Sequence, residues 1–246
     1  MAKESTYASL VSNFADFLTV AIHTILYERQ IYPIASFITT RKYNYAVRQS
    51  RHPKVCAWIT DAVSAVQDEL IAATLDKVAV VIYSPYSLPL ERFVFDLSKF
   101  PVVAREDMHT PIDRESPAQL DGSKPPSVDL EEQFRAVMAR LCVCGTTLKP
   151  IPPGCTFTVT IEVKDAAEPP IRHPQLWIPV QPSLQRQVEN PGADESTEKL
   201  GEDLGGVKTT PIRAVDAGEM AFEMWVEEGK GKIDALSSKN TTQTSE

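Results

Sequence analysis

The chain has 246 residues, of which 43% are hydrophobic, and these proportions suit one domain with a complete core and some long loops. Its formal net charge is -8 at pH 7. Because an acidic chain is a poor non-specific binder of phosphate backbones, the composition argues against a protein that holds DNA directly.

A long first helix is predicted over residues 7–31, where apolar residues fall on one wide stripe at steps of three and four. The stripe consists of Leu10, Phe14, Phe17, Leu18, Ala21, Ile22, Ile25 and Leu26. Such a wide stripe places the helix at the centre of the core, and Pro33 stops it. Asp16 and His23 interrupt the segment 10–27, so we expect no membrane span and a soluble, intracellular protein. His23 is predicted to be a partly buried structural residue.

The four cysteines are predicted to be free thiols, because the N-terminal residues lead straight into the first helix without a secretory signal. They are Cys56, Cys142, Cys144 and Cys155. The one-residue gap between Cys142 and Cys144 differs from the spacing of zinc knuckles, and no second Cys or His pair follows at a useful distance. We therefore predict neither a metal site nor a cofactor.

The connection over residues 34–50 is basic and contains two tyrosines. A solvated hairpin or loop is the preferred interpretation, and a contact patch for an acidic partner is the alternative. A second helix begins at Pro53, a residue that suits a first helical position, and continues to about Leu70. Trp58 lies at the edge of its apolar face, where a tryptophan belongs either to the core or to the wall of a binding groove.

Strand patterns predict a sheet. Residues 78–83 form a continuous apolar run, typical of a strand covered on both faces, and residues 92–97 alternate, so these segments are predicted to pair as a hairpin. Alternation also predicts strands over residues 155–163 and 219–227. The fold class is therefore α+β, a single domain over residues 7–228 with three main helices packed on one side of a mostly antiparallel sheet.

The third helix follows Ser127 or Asp129 as its cap and is predicted to end at Gly145. Three segments are predicted to lack regular structure because they are rich in proline, glycine, acidic or other polar residues: 104–127, 183–210 and the C-terminal tail 229–246.

No motif for catalysis is evident, since the sequence has no glycine-rich phosphate loop, no Gly-x-Ser-x-Gly elbow and no paired-histidine metal motif. Two tryptophans stand out instead. Trp225 shares a strand face with Glu223 and Glu227, and Trp177 lies in a proline-rich extended segment. Large aromatic side chains in such places are typical of surfaces that another segment or a partner covers. We predict a protein-binding module without catalytic residues; an enzyme with an unrecognised site is the rival from another class.

Several motifs resemble HORMA-domain proteins of the polymerase zeta accessory-subunit type. They are Phe17-Leu18-x-x-Ala21-x-His23-x-Ile25-Leu26-Tyr27 with Tyr32-Pro33, Lys42-Tyr43-Asn44 with His52-Pro53, Lys77 to Ile82, and Glu91 to Phe95. The most specific are Pro152-Pro153-Gly154-Cys155-Thr156-Phe157-Thr158-Val159 and the closing Met224-Trp225-Val226-Glu227-Glu228. The resemblance covers nearly all of residues 7–228. The segments 104–127 and 183–210 depart from animal members and indicate a fungal-type variant.

The resemblance implies a safety-belt mechanism, in which residues of about 166–228 wrap around a short partner peptide that is bound as an added strand. Trp58 and Trp177 align with aromatic residues that line this groove in the family. The partner that the resemblance implies is a proline-containing peptide of the catalytic subunit of DNA polymerase zeta, because proline suits aromatic walls.

Two further surfaces are implied in the same way. Glu223 and Trp225 fall on the face that receives the C-terminal domain of a Y-family translesion polymerase, although Thr209 is polar where the family has an apolar residue. Arg135 matches an arginine used for HORMA homodimerisation. The resemblance thus implies a non-catalytic adaptor in translesion DNA synthesis, in the nucleus and also the cytoplasm, with the spindle checkpoint or meiotic chromosome axis as the alternative setting.

Overall fold

A computed structural model describes residues 6–112, 129–168, 170, 177–185 and 206–233 of the protein. Within these ranges three α-helices and seven strands follow one another, with short 3-10 turns between some of them. The elements are α1 (Tyr7–Glu28), β1 (Phe37–Lys42), β2 (Tyr45–Ser50), α2 (Pro53–Ile71), β3 (Leu75–Tyr83), β4 (Pro89–Asp96), α3 (Leu130–Thr147), β5 (Thr156–Val163), β6 (Lys208–Asp216) and β7 (Ala221–Glu228).

Five of the strands form one antiparallel sheet in the order β5-β3-β4-β7-β6, and β1 pairs with β2 as a separate hairpin. The three helices pack on one side of the sheet, so the α+β prediction is confirmed. In this order β5 and the C-terminal pair β6–β7 lie on opposite sides of the central hairpin, and β5 is one edge of the sheet.

The helix α1 is the centre of the core. Thr6 and Ser9 form a reciprocal capping box that satisfies the first backbone N–H groups, and Arg29 is the C-cap. Most of the side chains between these caps are buried, because α2 and α3 pack against α1 on either side. Contrary to the sequence-based expectation, the helix is long and apolar enough to cross a membrane by length and composition alone. Within the apolar window, 67% is buried inside the domain, as expected of a core helix.

The central strands are covered on both faces, as their apolar run predicted. Val78, Val80 and Ile82 of β3 point into the main core under the helices. On the other face Ala79 and Val81 form a second, smaller apolar cluster with Val94 of β4, against which Tyr83 and Trp225 pack. The sheet therefore carries an apolar centre on its outer face that no helix covers in the described residues.

Three sequence-based expectations need correction. The strand β6 was missed, and it begins at Lys208, inside the segment predicted to be a loop. The helix α3 does not stop at Gly145 but continues to Thr147. A Cβ atom at Gly145 would lie 3.3 Å from the carbonyl oxygen of Glu28, so this glycine permits close approach of α3 to the end of α1. Finally, residues 230–233 form a helical turn in which Lys232 is buried, although the tail 229–246 was predicted to lack regular structure.

The segment 34–50 is a hairpin, as the preferred interpretation proposed. Tyr43 and Asn44 form its two-residue turn, and both have positive φ angles, 53° and 52°. Such a pair of angles is typical of a type I′ turn, whose twist matches that of the flanking strands. Basic side chains of the hairpin have local partners: Lys42 forms an ion pair with Asp16 over 2.9 Å, and the guanidinium of Arg48 lies over the ring of Tyr27.

Candidate functional site

The outer edge of β5 is the first feature of the candidate site. On its inner side β5 pairs with β3 from Thr156 to Val163, and in the described part of the chain no strand pairs with its outer side. An unpaired edge presents a row of backbone N–H and C=O groups, which an extended peptide can satisfy by adding a strand. The edge itself can therefore bind a peptide through main-chain hydrogen bonds.

An aromatic wall flanks this edge. Trp58 of α2 is 42% exposed, and its ring meets Phe157 of β5 edge to face with centroids 5.0 Å apart. Tyr32, just after α1, contacts the same Phe157 ring at 6.4 Å. The wall joins the end of α1, the exposed side of α2 and the edge strand. Sequence reasoning identified Trp58 but missed Tyr32 and Phe157.

Trp58 is exposed because of its position on α2. Ile59, Val63 and Val66 face the core and are buried, whereas Trp58 lies beside that stripe. A rigid, half-exposed indole on a helix provides a large apolar contact surface with little conformational entropy to lose on binding. The sequence left two places open for Trp58, the core or the wall of a binding groove. Its exposure agrees better with the groove wall.

Trp177 lies in the described part of the segment predicted to be the belt. It is partly buried and packs against the main core cluster, whereas the next residue, Ile178, is 77% exposed. Gln185 donates a side-chain hydrogen bond of 2.6 Å to the carbonyl of Val180, which folds the segment back on itself. The structure does not bring Trp177 into a ring contact with Trp58. The calls on residues 171–176 and 186–205 lie outside the described residues.

The C-terminal pair β6–β7 lies at the opposite side of the sheet. β7 pairs with β4 from Glu91 to Asp96, and β6 pairs with the other side of β7. The strands β5 and β6 are four strand spacings apart, roughly 19 Å. The C-terminal strands β6 and β7 therefore do not occupy the outer edge of β5.

Trp225 lies on the outer face of the sheet, between Glu223 and Glu227, as alternation predicted. Its indole N–H donates a hydrogen bond of 2.8 Å to the Glu227 carboxylate, and its ring packs on the small apolar cluster. Glu223 is half exposed and forms an ion pair with Lys99 over 2.7 Å. Thr209 is exposed on β6 opposite Glu227. The three residues thus share one surface.

On the same outer face of the sheet, ion pairs link side chains of neighbouring strands. Arg92 of β4 reaches Glu162 of β5 at 2.7 Å and Glu227 of β7 at 3.5 Å, and Lys77 of β3 reaches Glu162 at 3.2 Å. These side chains are largely buried, with between 11% and 23% of their surface exposed. Their alternating charges hold Trp225 within an ordered polar frame, which suits a partner that matches both charge and shape.

A second ionic cluster is fully buried at the end of β7. Arg29, the C-cap of α1, makes a bidentate contact with Glu91 of β4 at 2.8 and 2.7 Å, and donates a further hydrogen bond of 2.7 Å to the carbonyl of Lys149. Lys232, in a helical turn after β7, donates to both Glu91 and Glu228. Two effects act on the pKa of Glu228 in opposite directions. Burial raises it, whereas the hydrogen bond and the charge of Lys232 lower it by more, so the pKa lies below its usual range. Nothing in the sequence pattern singled out this cluster.

Arg135 lies on the exposed side of α3. Its guanidinium forms an ion pair of 2.9 Å with Glu132, and 40% of the side chain is exposed. The neighbouring Phe134 points the other way and stacks on Phe17 in the core, with ring centroids 4.5 Å apart. Arg135 is therefore free to meet a partner without disturbing the core.

The ionisable groups offer no activated nucleophile among the described residues. Burial raises the pKa of Cys142 to about 11 and that of Cys144 to about 12, so both thiols are protonated and unreactive at neutral pH. All four cysteines are free, and no group of His, Cys, Asp or Glu in the described part of the chain could hold a metal ion. Two clefts there measure about 50 and 10 Å³.

The sequence is similar to those of several named proteins. A protein of Schizosaccharomyces pombe named DNA polymerase zeta processivity subunit is 32% identical over 214 residues, which are 87% of this chain and 90% of that one. A Gallus gallus protein named mitotic spindle assembly checkpoint protein MAD2B is 36% identical over 153 residues, 62% of this chain and 65% of the relative. The aligned part thus spans slightly less than two thirds of the Gallus gallus and Bos taurus relatives.

Solved structures with the same fold include a chain of the mitotic checkpoint complex, with a TM-score of 0.62 and 19% identity over 89% of this chain and 98% of that one. C. elegans HTP-2 bound to a HIM-3 closure motif gives a TM-score of 0.58 at 15% identity, covering 91% of this chain and 92% of that one. At such identities the likeness concerns the fold alone. A family model described as the HORMA domain matches residues 11–209, and the chain belongs to the HORMA-domain family.

Proposed function

We propose that the protein is a non-catalytic adaptor subunit of DNA polymerase zeta in translesion DNA synthesis. It captures a proline-containing peptide of the catalytic subunit at the outer edge of β5 and holds it under the belt of residues 166–228. The name of the Schizosaccharomyces pombe relative, which matches along most of both chains, supports this assignment. Such a subunit acts in the nucleus.

One observation carries the proposal: within the described residues no strand pairs with the outer edge of β5, which has an aromatic wall, while the C-terminal strands pair at the far side of the sheet. The peptide backbone pairs with β5, and its side chains alternate between the aromatic wall and the outer face. A proline ring stacks against Trp58 at little entropic cost, because proline is already restricted in the free peptide. Trp177 closes the groove from the belt.

A second partner binds the outer sheet face. The C-terminal domain of a Y-family polymerase contacts Trp225 and Glu223, so that the adaptor bridges an inserter polymerase to the catalytic subunit. The half-buried indole and the flanking carboxylates support this role, since interface anchors are typically aromatic side chains within a polar rim. The two sites lie on different faces of the domain, so both partners can bind at once.

The same fold also serves a different setting. The structural neighbours include a chain of the mitotic checkpoint complex and a C. elegans protein bound to a closure motif, so the checkpoint and the meiotic axis are the alternative. Calorimetric titration with peptides from the polymerase catalytic subunit, from spindle checkpoint partners and from axis proteins of the same organism distinguishes them. We expect tight binding of the polymerase peptide. Exclusive binding of a checkpoint or axis peptide would replace the proposal with the alternative.

A further inference from the structure

Lys232 is buried where the end of β7 meets the body of the domain. Only 1% of its side chain is exposed, and Glu91 and Glu228 are equally inaccessible, at 0% and 2%. A lysine in such a place needs full compensation by opposite charge, because burial of an unpaired ammonium is costly. Lys232 itself lies beyond the family match, which ends at residue 209.

The cluster connects two parts of the chain that a belt movement would separate. Arg29 caps α1 and Glu91 belongs to β4, both of which precede the belt, whereas Glu228 is the last residue of β7 and Lys232 lies in the turn that follows it. Lys232 is the bridge, since it donates both to Glu91 on the body and to Glu228 four residues earlier in its own segment. The backbone N–H of Lys149 adds a contact of 3.3 Å to Glu228.

The buried members of each half are neutral when considered alone. Arg29 and Glu91 retain their bidentate pair after the C-terminal strands leave, and Glu228 and Lys232 leave together as an i, i+4 pair. Lys208 of β6, which is 53% exposed and reaches Glu228 at 3.4 Å, leaves with them and meets solvent in either state. Opening therefore leaves no charge buried without a partner. An ordinary buried ion pair behaves differently, because separating its two residues leaves each charge without its partner. The cluster described here can open without that cost.

The surrounding backbone is closely packed to make this contact. A Cβ atom at Gly229 would lie 2.9 Å from the carbonyl oxygen of Pro89, and one at Gly206 would lie 2.8 Å from Cβ of Glu227. Only glycine permits these approaches. Gly229 brings the turn after β7 onto the body, and Gly206 brings the residues just before β6 onto β7. The backbone N–H of Gly229 also donates to the carbonyl of Leu90 over 2.9 Å.

We propose that Lys232 is a positioning residue, which latches the β6–β7 pair onto β4 and thereby sets how long a captured peptide remains bound. The latch is reversible because its two halves separate as neutral pairs. The kinetic part of the inference rests on the proposed function, whereas the structural part concerns the free protein.

The test uses hydrogen exchange of the full chain without peptide. Lys232→Met is expected to speed exchange of β7 amides about tenfold or more, while β3 amides change less than about threefold, because β7 then opens separately from the sheet centre. Lys232→Arg keeps the charge and is expected to behave like the wild type. Lys230→Met, at an exposed position in the same turn, is the matched control and should change neither strand.

A second variant guards against misfolding. Glu228→Gln with Lys232→Met removes the whole C-terminal half and leaves Arg29 paired with Glu91, so it is expected to fold and to show the same selective opening. Unchanged β7 exchange in both variants, or equal acceleration in β3 and β7, overturns the latch.

Peptide dissociation supplies the second readout, measured with a fluorescent polymerase peptide. Release from Lys232→Met is expected to be about tenfold faster, with Lys230→Met unchanged. Equal release rates in Lys232→Met and the wild type overturn the kinetic part. If the wild type binds no such peptide, the proposed function fails and the kinetic part fails with it, whereas exchange still decides the structural latch.

Discussion

Replacement of Trp58 by alanine tests the peptide-binding edge most directly. The side chain is 42% exposed in the free protein, and the rest of the ring packs on Phe157 and the side of α2. A tryptophan has about 250 Å² to bury, so about 100 Å² remains available to a peptide. At roughly 25 cal/mol per Å², covering that area contributes about 2.5 kcal/mol to binding.

The expected result is a peptide dissociation constant raised by about 30- to 60-fold, which corresponds to about 2–2.5 kcal/mol. The effect on folding is expected to be smaller, about 1–2 kcal/mol, since a fully buried aromatic costs about 3–5 kcal/mol when truncated and Trp58 is only partly buried. Trp177→Ala is expected to weaken peptide capture by about 2 kcal/mol as well.

Calorimetric titration gives the dissociation constant, and a urea melt of the same preparation gives the free energy of unfolding. Ser64→Ala is the control, because Ser64 is exposed on α2 and two turns away from the wall. Trp58→Tyr should retain much of the affinity. The reasoning is wrong if Trp58→Ala and Trp177→Ala both fold normally and bind the peptide with wild-type affinity.

Three further predictions concern other parts of the molecule. Trp225→Ala should cost about 1–2 kcal/mol of folding stability, below the cost of a core tryptophan, and should abolish binding of the Y-family C-terminal domain while sparing peptide capture; a denaturant melt and a titration of one preparation decide this. Arg135→Ala should convert a homodimer to monomers in light scattering, and a wild type that is monomeric at every concentration, with and without peptide, refutes it. Burial lowers the pKa of His23, so the unfolded chain binds a proton at this imidazole more readily than the folded protein does. Stability should therefore fall as the pH drops below about 6.5, the ordinary value of an exposed histidine, and in denaturant melts His23→Gln should lose that part of the pH dependence.

Helical periodicity and strand alternation predicted most of the fold, because the spacing of apolar residues depends on which side of a helix or strand faces the core. They located α1, α2, α3 and the buried face of β7 within a few residues. The strand β6 escaped notice because it is exposed and contains Pro211, and among its residues only Val215 is buried. Its pairing depends on backbone hydrogen bonds to β7, which leave little trace in side-chain hydrophobicity.

The candidate site was predicted only in part for a similar reason. The edge position of Trp58 on the helical stripe indicated its exposure, but Tyr32 and Phe157 join it only through tertiary packing. The buried ionic cluster was not predicted, because Lys232 lies in a stretch with the polar composition of a tail and Glu228 stands at the end of a strand pattern that gives no sign of an ionic partner. Their burial depends on Arg29 and Glu91, which lie far away along the chain.

The outer edge of β5, which pairs with no strand in the described part of the chain, also has a consequence for the protein on its own. Thr156–Val163 is rich in threonine, valine and isoleucine, contains no proline or lysine, and has Glu162 as its single charged residue. Such an edge lacks the features that usually prevent strands of separate molecules from pairing and aggregating. If a peptide binds this edge as proposed, it also shields the edge from other molecules, and the chain should then accumulate in soluble form chiefly when it is produced together with that peptide.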